Sequence, residues 1–235
     1  MRPTLRSLAG LCTLLLLASL TPLLFLFGCT GGSGGGGKSK AYGPVLSLLL
    51  PAGKKNATCR IERRRTRFGQ TLIMLPRELQ VTRTDTGVID RFRERINPKE
   101  WRLAAQLFID ARPDGAWLRA QYSLVGKRVG AKGPRLLFPW PPKPGSSREV
   151  VYRILDGRLA TGTVTVTRYG FSQTVKGTEY KPCLEVQEAL RFKKGGGVAL
   201  RSVYCTGFGR VEIETNSESP QKEKTKLVDR TLECR

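Results

Sequence analysis

Six cysteines and one run of arginines are the residues of this 235-residue chain whose types and spacing could do chemistry. The cysteines are Cys12, Cys29, Cys59, Cys183, Cys205 and Cys234. No two of them form a CxxC pair, which removes a zinc ribbon or a dithiol redox motif. Histidine is absent, so Ser-His-Asp triads, Cys-His pairs and histidine-containing zinc sites are excluded. No Asp/Glu cluster stands out; a hydrolase built only on such carboxylates is not excluded, but spacing nominates no pair. The reading is therefore non-enzymatic, with no catalytic residue, metal or cofactor to nominate.

The arginine run is "CRIERRRTR", with Arg60, Arg63, Arg64, Arg65 and Arg67. In an extended chain side chains alternate faces, so these five make both faces of a strand basic. That pattern suits acidic lipid headgroups, lipopolysaccharide phosphates or an acidic glycan. It equally suits an edge strand guarded by charge against aggregation. The whole chain carries 41 Lys and Arg against 19 Asp and Glu, a net +22. Acidic partners fit that balance, although scattered solvated arginines would produce it too.

What must position these groups begins at the N-terminus. Arg2 and Arg6 form a basic start, and residues 7–28 are almost wholly apolar, "SLAGLCTLLLLASLTPLLFLFG". That is about the 20 residues a spanning helix needs, so length alone does not separate a cleaved signal, a membrane anchor and a lipoprotein signal. The boundary does: Leu26-Phe27-Gly28-Cys29 resembles the bacterial lipobox, with leucine three residues before the cysteine and a small residue before it. The resemblance implies a signal over 1–28, acyl chains on Cys29, and attachment to a membrane outside the cytoplasm. Thr30 beside the cysteine, by resemblance to enterobacterial sorting, favours the periplasmic side of the outer membrane. "TGGSGGGGKSK" follows, a composition that behaves as a flexible coil, and a tether is expected over 29–53. That compartment, and the lack of any recognition motif, argue against nucleic acid.

Setting aside Cys12 and Cys29 leaves four cysteines, an even number in an oxidising compartment. "PCLEVQEALRF" and "GVALRSVYC" flank the glycine turn "KKGGG" and read as a hairpin. Pairing Leu190 with Val198 puts Cys183 directly opposite Cys205, within disulfide reach. Leu184, Val186, Leu190, Val198, Leu200 and Tyr204 then share the other face. Cys183–Cys205 is expected, and Cys59–Cys234 by elimination, tying the start of the domain to its end.

Residues 54–235 read as a mainly β domain, an antiparallel sandwich or half-barrel. "TGTVTVTRY" puts Val164 and Val166 on one face, and "GFGRVEIETNS" puts Val211 and Ile213 facing in. Residues 99–109 fit both helix and strand spacing, and strand is preferred. Five prolines between Pro134 and Pro144 rule out a central strand there and suggest a crossing loop or cover. Phe138-Pro139-Trp140-Pro141-Pro142 could bind a partner or cover one end of the sheet. "GFG" at Gly207 and Gly209 reads as a bend rather than a phosphate loop.

The C-terminal half resembles a set of uncharacterised bacterial exported β-domain proteins. In these a G-x-(F/Y)-x-x-C-L-x-V strand precedes a Y-x-x-G-x-G-x-V strand. The matching residues are Gly177, Tyr180, Cys183, Leu184 and Val186, then Tyr204, Gly207, Gly209 and Val211. The resemblance implies an antiparallel, half-barrel-like lipoprotein domain and no activity. The expectation is a lipid-anchored binding or envelope-maintenance protein, its partner an anionic lipid or envelope polymer. The alternative is a structural subunit of an envelope protein complex.

Overall fold

The computed structural model describes residues 43–123, 128–129, 133–153, 159–193, 195–218 and 224–235. The expected signal, Cys12, Cys29 and the glycine stretch lie outside the described residues. The chain enters through a short helix, α1 (Gly43–Ser47), and then runs as strands. These are β1 (Asn56–Arg67), β2 (Gln70–Ile73), β3 (Arg77–Arg83), β4 (Gly87–Asn97), β5 (Glu100–Arg112), β6 (Gly115–Ser123) and β7 (Arg128–Val129). The second half holds β8 (Arg135–Pro139), β9 (Ser147–Arg153), β10 (Leu159–Val175), β11 (Thr178–Phe192), β12 (Gly197–Cys205), β13 (Gly209–Glu218) and β14 (Lys224–Cys234).

All of them join one antiparallel sheet, ordered β7-β6-β5-β4-β3-β1-β14-β13-β12-β11-β10-β9, with β2 on β1 and β8 on β6. Apart from the first-to-last pairing of β1 with β14, and the β1–β3 and β6–β8 pairings that each skip one short strand, the sheet is a meander of chain neighbours. It curls into a nearly closed barrel, the curved alternative among the expected architectures. The seam falls where β8 meets β9 and β10, and side chains stitch it. Tyr152 on β9 accepts a hydrogen bond at its hydroxyl oxygen from the Leu136 amide at 3.2 Å. Arg135 on β8 donates to both carboxylate oxygens of Glu188 on β11, at 3.1 and 2.6 Å.

Alternation decides what lies inside. Val164 and Val166, Leu184 and Val186, Leu79 and Val81 are all buried in the main core, each burial contributing about 1.5–3 kcal/mol. Residues 45–50 belong to that core as well: Val45, Leu48, Leu49 and Leu50 are buried. They close one end of the barrel, where Gly207 donates to the Ser47 carbonyl and accepts from the Ala52 amide. The expected tether over 29–53 is therefore too long, because four aliphatic side chains in its second half find a core to fill. Gly207 and Gly209 are a bend with φ of 76° and 88°; a side chain at Gly209 would crowd the Leu49 carbonyl oxygen, 3.2 Å away.

A second, smaller core lies on the outer face. Three register shifts in β10 bend the end of the β10–β11 hairpin, and Phe171, Val175 and Tyr180 fold over Cys183, Val203, Cys205, Phe208 and Val211. The rings of Tyr180 and Phe208 pack 4.7 Å apart. Both expected disulfides are present, Cys183–Cys205 and Cys59–Cys234, with Cα atoms 4.1 and 4.0 Å apart. Cys183 stands opposite Cys205 and Leu190 opposite Val198, the register read from the sequence.

Three readings are corrected. Val211 and Ile213 do not share a face: a register shift between Val203 and Tyr204 leaves Val211 in the outer cluster and turns Arg210 inward. Phe138 and Pro139 are buried, not an exposed partner surface, because β8 takes them under the seam. β1 is not an edge strand, since it pairs β14 on one side and β3 and β2 on the other.

Candidate anionic-ligand site

The strand β1 alternates Ala57, Cys59 and Ile61 into the main core, and its odd-numbered face continues with Arg63, Arg65 and Arg67. Their partners on β14 are Asp229, Leu227 and Thr225. The arginines thus descend the inner wall toward the core as a ladder with steps of about 7 Å, two residues of strand. Arg60 and Arg64 occupy the other face, where Arg64 donates to Glu62 at 2.7 Å. The five arginines of the run are therefore not one surface, and three of them line the barrel.

At the foot of the ladder sits a crowded ionic group. Arg63 grips Asp229 through two nitrogens, the Nε contact at 2.5 Å. Arg77 on β3 pairs with Glu94 on β4, and a second nitrogen lies 4.0 Å from Asp229. Three inward arginines of this wall, Arg63, Arg65 and Arg77, thus stand beside two carboxylates, Asp229 and Glu94, among the described residues. Arg77 carries the mark of that imbalance. Burial and the neighbouring charge of Arg63 pull its guanidinium down to about 10, against the attraction of Asp229. Its Nε is buried without a hydrogen-bond partner. An anion entering the wall would supply what this group lacks.

The entrance is the barrel end opposite α1. The β1–β2 turn, the described part of the β11–β12 turn and the facing ends of β13 and β14 surround an open cavity of roughly 1340 Å³. Its lining mixes four cations, Arg67, Arg191, Lys224 and Lys226, and one acid, Glu218, with apolar groups such as Phe68 and Leu190. The arrangement offers apolar wall and cationic wall side by side, which matches a molecule with both a hydrocarbon part and an acidic part.

Deeper down a second polar group is closed off. Asp90 on β4 and Arg210 on β13 lie 3.1 Å apart, both almost fully buried. Burial pushes the Asp90 carboxyl up from its ordinary value, opposed by the charge of Arg210. The Arg210 guanidinium also stacks over Phe92 at 4.9 Å. Tyr204 is driven up by burial beside the same charges. This group joins opposite walls, with the Arg210 and Asp90 side chains only 9% and 6% exposed.

Sequence reasoning found the arginine run but missed Arg77, Asp90 and Arg210. Asp90 had a signal: Val88, Asp90 and Phe92 share one face of β4, so an acid had to be inside. Arg210 had none, because the bulge that turns it inward interrupts the alternation. Among the described residues no group of three metal-ligating side chains comes together. Comparison with protein-family models, curated proteins and solved structures finds no match to this chain.

Proposed function

We propose that this chain is a lipid-anchored, extracytoplasmic, non-enzymatic binding protein whose ligand is an anionic amphiphile. The observation that carries the ligand class is the arginine ladder, Arg67, Arg65 and Arg63, descending from an open, partly apolar mouth to an Arg77 that lacks a full set of partners. The anchor rests on Leu26-Phe27-Gly28-Cys29, with the acyl chains on Cys29. Two disulfides suit an oxidising compartment, and the cell envelope, on the periplasmic side of the outer membrane, is the place where anionic lipids and such an anchor coincide. Removing Arg2 and Arg6 with the signal leaves 22 − 2 = +20 on the mature chain, ample for electrostatic capture.

The test is mass spectrometry of the full chain drawn from native membranes in mild detergent, with non-covalent species retained. A diacylglyceryl mass on Cys29 and an acidic lipid bound to wild type, absent from an Arg65→Glu/Arg67→Glu variant, are the expected results. An unmodified chain keeping residues 1–28 would end the anchor reading. A protein that carries no acidic amphiphile in either form would end the ligand reading.

A further inference from the structure

The segment that leaves the mouth is unlike the rest of the surface. Phe68, Leu72, Ile73 and Leu75 are 61–76% exposed, and Met74 and Ile96 join them. The polar or charged residues of residues 63–77 include five arginines and no acid. The sheet forks here: β1 pairs β3 as far as Ile61, then pairs β2 from Arg64. All four residues of β2 are exposed, so this outer arm of the hairpin, whose β1 arm stays paired with β14, has none of the described residues over it. The β4–β5 end lies beside it, the Arg95 amide donating to the Pro76 carbonyl at 3.1 Å, which brings Ile96 to the same knob.

The tip adds an independent observation. Arg67 opposite Gln70 makes Phe68-Gly69 a two-residue turn with φ of 51° and 75°. Asn, Asp or Gly is the ordinary occupant of the first of these positions. A phenylalanine there costs backbone energy and gains no burial, so folding alone does not account for it. Arg67 lies over its ring at 4.8 Å. Exposed aliphatic and aromatic groups flanked by arginines, without acids, match a bilayer interface with anionic headgroups: the apolar tip enters the acyl boundary and the guanidiniums meet phosphate.

We infer that the β1–β2 hairpin and the loop after it, Phe68 to Leu75, dip into an anionic membrane surface and hold the mouth against it. The inference rests on the membrane-bound reading, and deepens it by naming how the mouth reaches its ligand. Because an acyl anchor on Cys29 would keep every variant on vesicles, the test reads the tip itself. Full-length Phe68→Trp protein is placed in proteoliposomes carrying acyl-brominated lipids, with wild type as the background from its three native tryptophans. In phosphatidylglycerol vesicles the added emission is expected to fall at least twofold by contact quenching. In phosphatidylcholine vesicles, or with Arg64→Glu added on the outer face, that quenching is expected to fall. Leu72→Trp reads the same knob from ordinary extended backbone, so a misfolded tip variant does not leave the matter open. Added emission that stays unquenched at both positions in anionic vesicles overturns the inference. Ligand retention in detergent involves no bilayer, so the two readings fail separately.

Discussion

Arg210 and Asp90 meet at 3.1 Å although three strands, β14, β1 and β3, separate their own strands around the sheet. A contact between the arms of β13 and β4 measures how tightly the sheet curls, and it makes this pair a tie across the barrel. Neither atom set is fully satisfied: Asp90 Oδ1 and Arg210 Nη2 lack an aligned hydrogen-bond partner. Asp90→Asn is expected to cost about 3–5 kcal/mol, because it strands a buried cation. Asp90→Leu/Arg210→Met is expected to recover most or all of that loss. Urea unfolding with the disulfides intact measures both.

Glu185 gives a pH signature on the outer wall. Burial alone would push its carboxyl up, but hydrogen bonds from Arg201 and Thr167 outweigh it and hold the carboxyl below its ordinary value. A depressed folded-state value means stability that is present above the ordinary 4.5 and lost as pH falls through the folded value. Glu185→Gln is expected to cost about 1–3 kcal/mol at pH 7. That difference should shrink steadily below about pH 4.5, whereas a defect in packing alone would persist. Denaturation midpoints measured from pH 7 to pH 3 decide it.

The two disulfides close loops of very different size, 175 and 22 residues. On chain-entropy grounds the first restricts the unfolded chain by about 5 kcal/mol and the second by about 3 kcal/mol. Replacing Cys59 and Cys234 by alanine is expected to lower the thermal midpoint more than replacing Cys183 and Cys205. Equal shifts in calorimetry would place the stabilisation in the folded contacts instead.

Phe68 separates a surface kept for stability from one kept for use. Phe68→Asn relieves the left-handed backbone at the hairpin tip, so stability is expected to hold or rise by up to about 1 kcal/mol. Depth of the hairpin in anionic vesicles, read from a tryptophan at Leu72, should fall. A clear loss of stability would show the ring to be part of the fold.

The hairpin register and the cysteine pairing were legible because they rest on alternation across one short glycine turn. Alternation alone assigns faces to Leu184, Val186, Tyr204 and Cys183. Val211 could not, since one extra residue in β13 reverses every face beyond it. The arginine run was visible as charge, yet whether Arg63 or Arg64 faced inward depended on where Ile61 found its core. Burial of residues 45–50 was invisible for a related reason: an apolar stretch next to a glycine-rich one does not say which surface it will meet. The motif positions around Gly177, Tyr180 and Cys183 acquire a physical reason in the fold-over of the β10–β11 hairpin, which covers the Cys183–Cys205 bond.

The Cys59–Cys234 bond also sets how the domain answers tension. A pull at residue 43 strips α1 and the strap behind it first, since these are held by side-chain packing and a few amide contacts to Gly207. At Cys59 the load reaches a covalent junction with the last strand. From there β1 cannot peel away without dragging β14 along, so two strands on opposite ends of the sequence bear the force together. The first and last strands of the barrel are thus closed into one covalent loop, and residues 43–58 yield before it does.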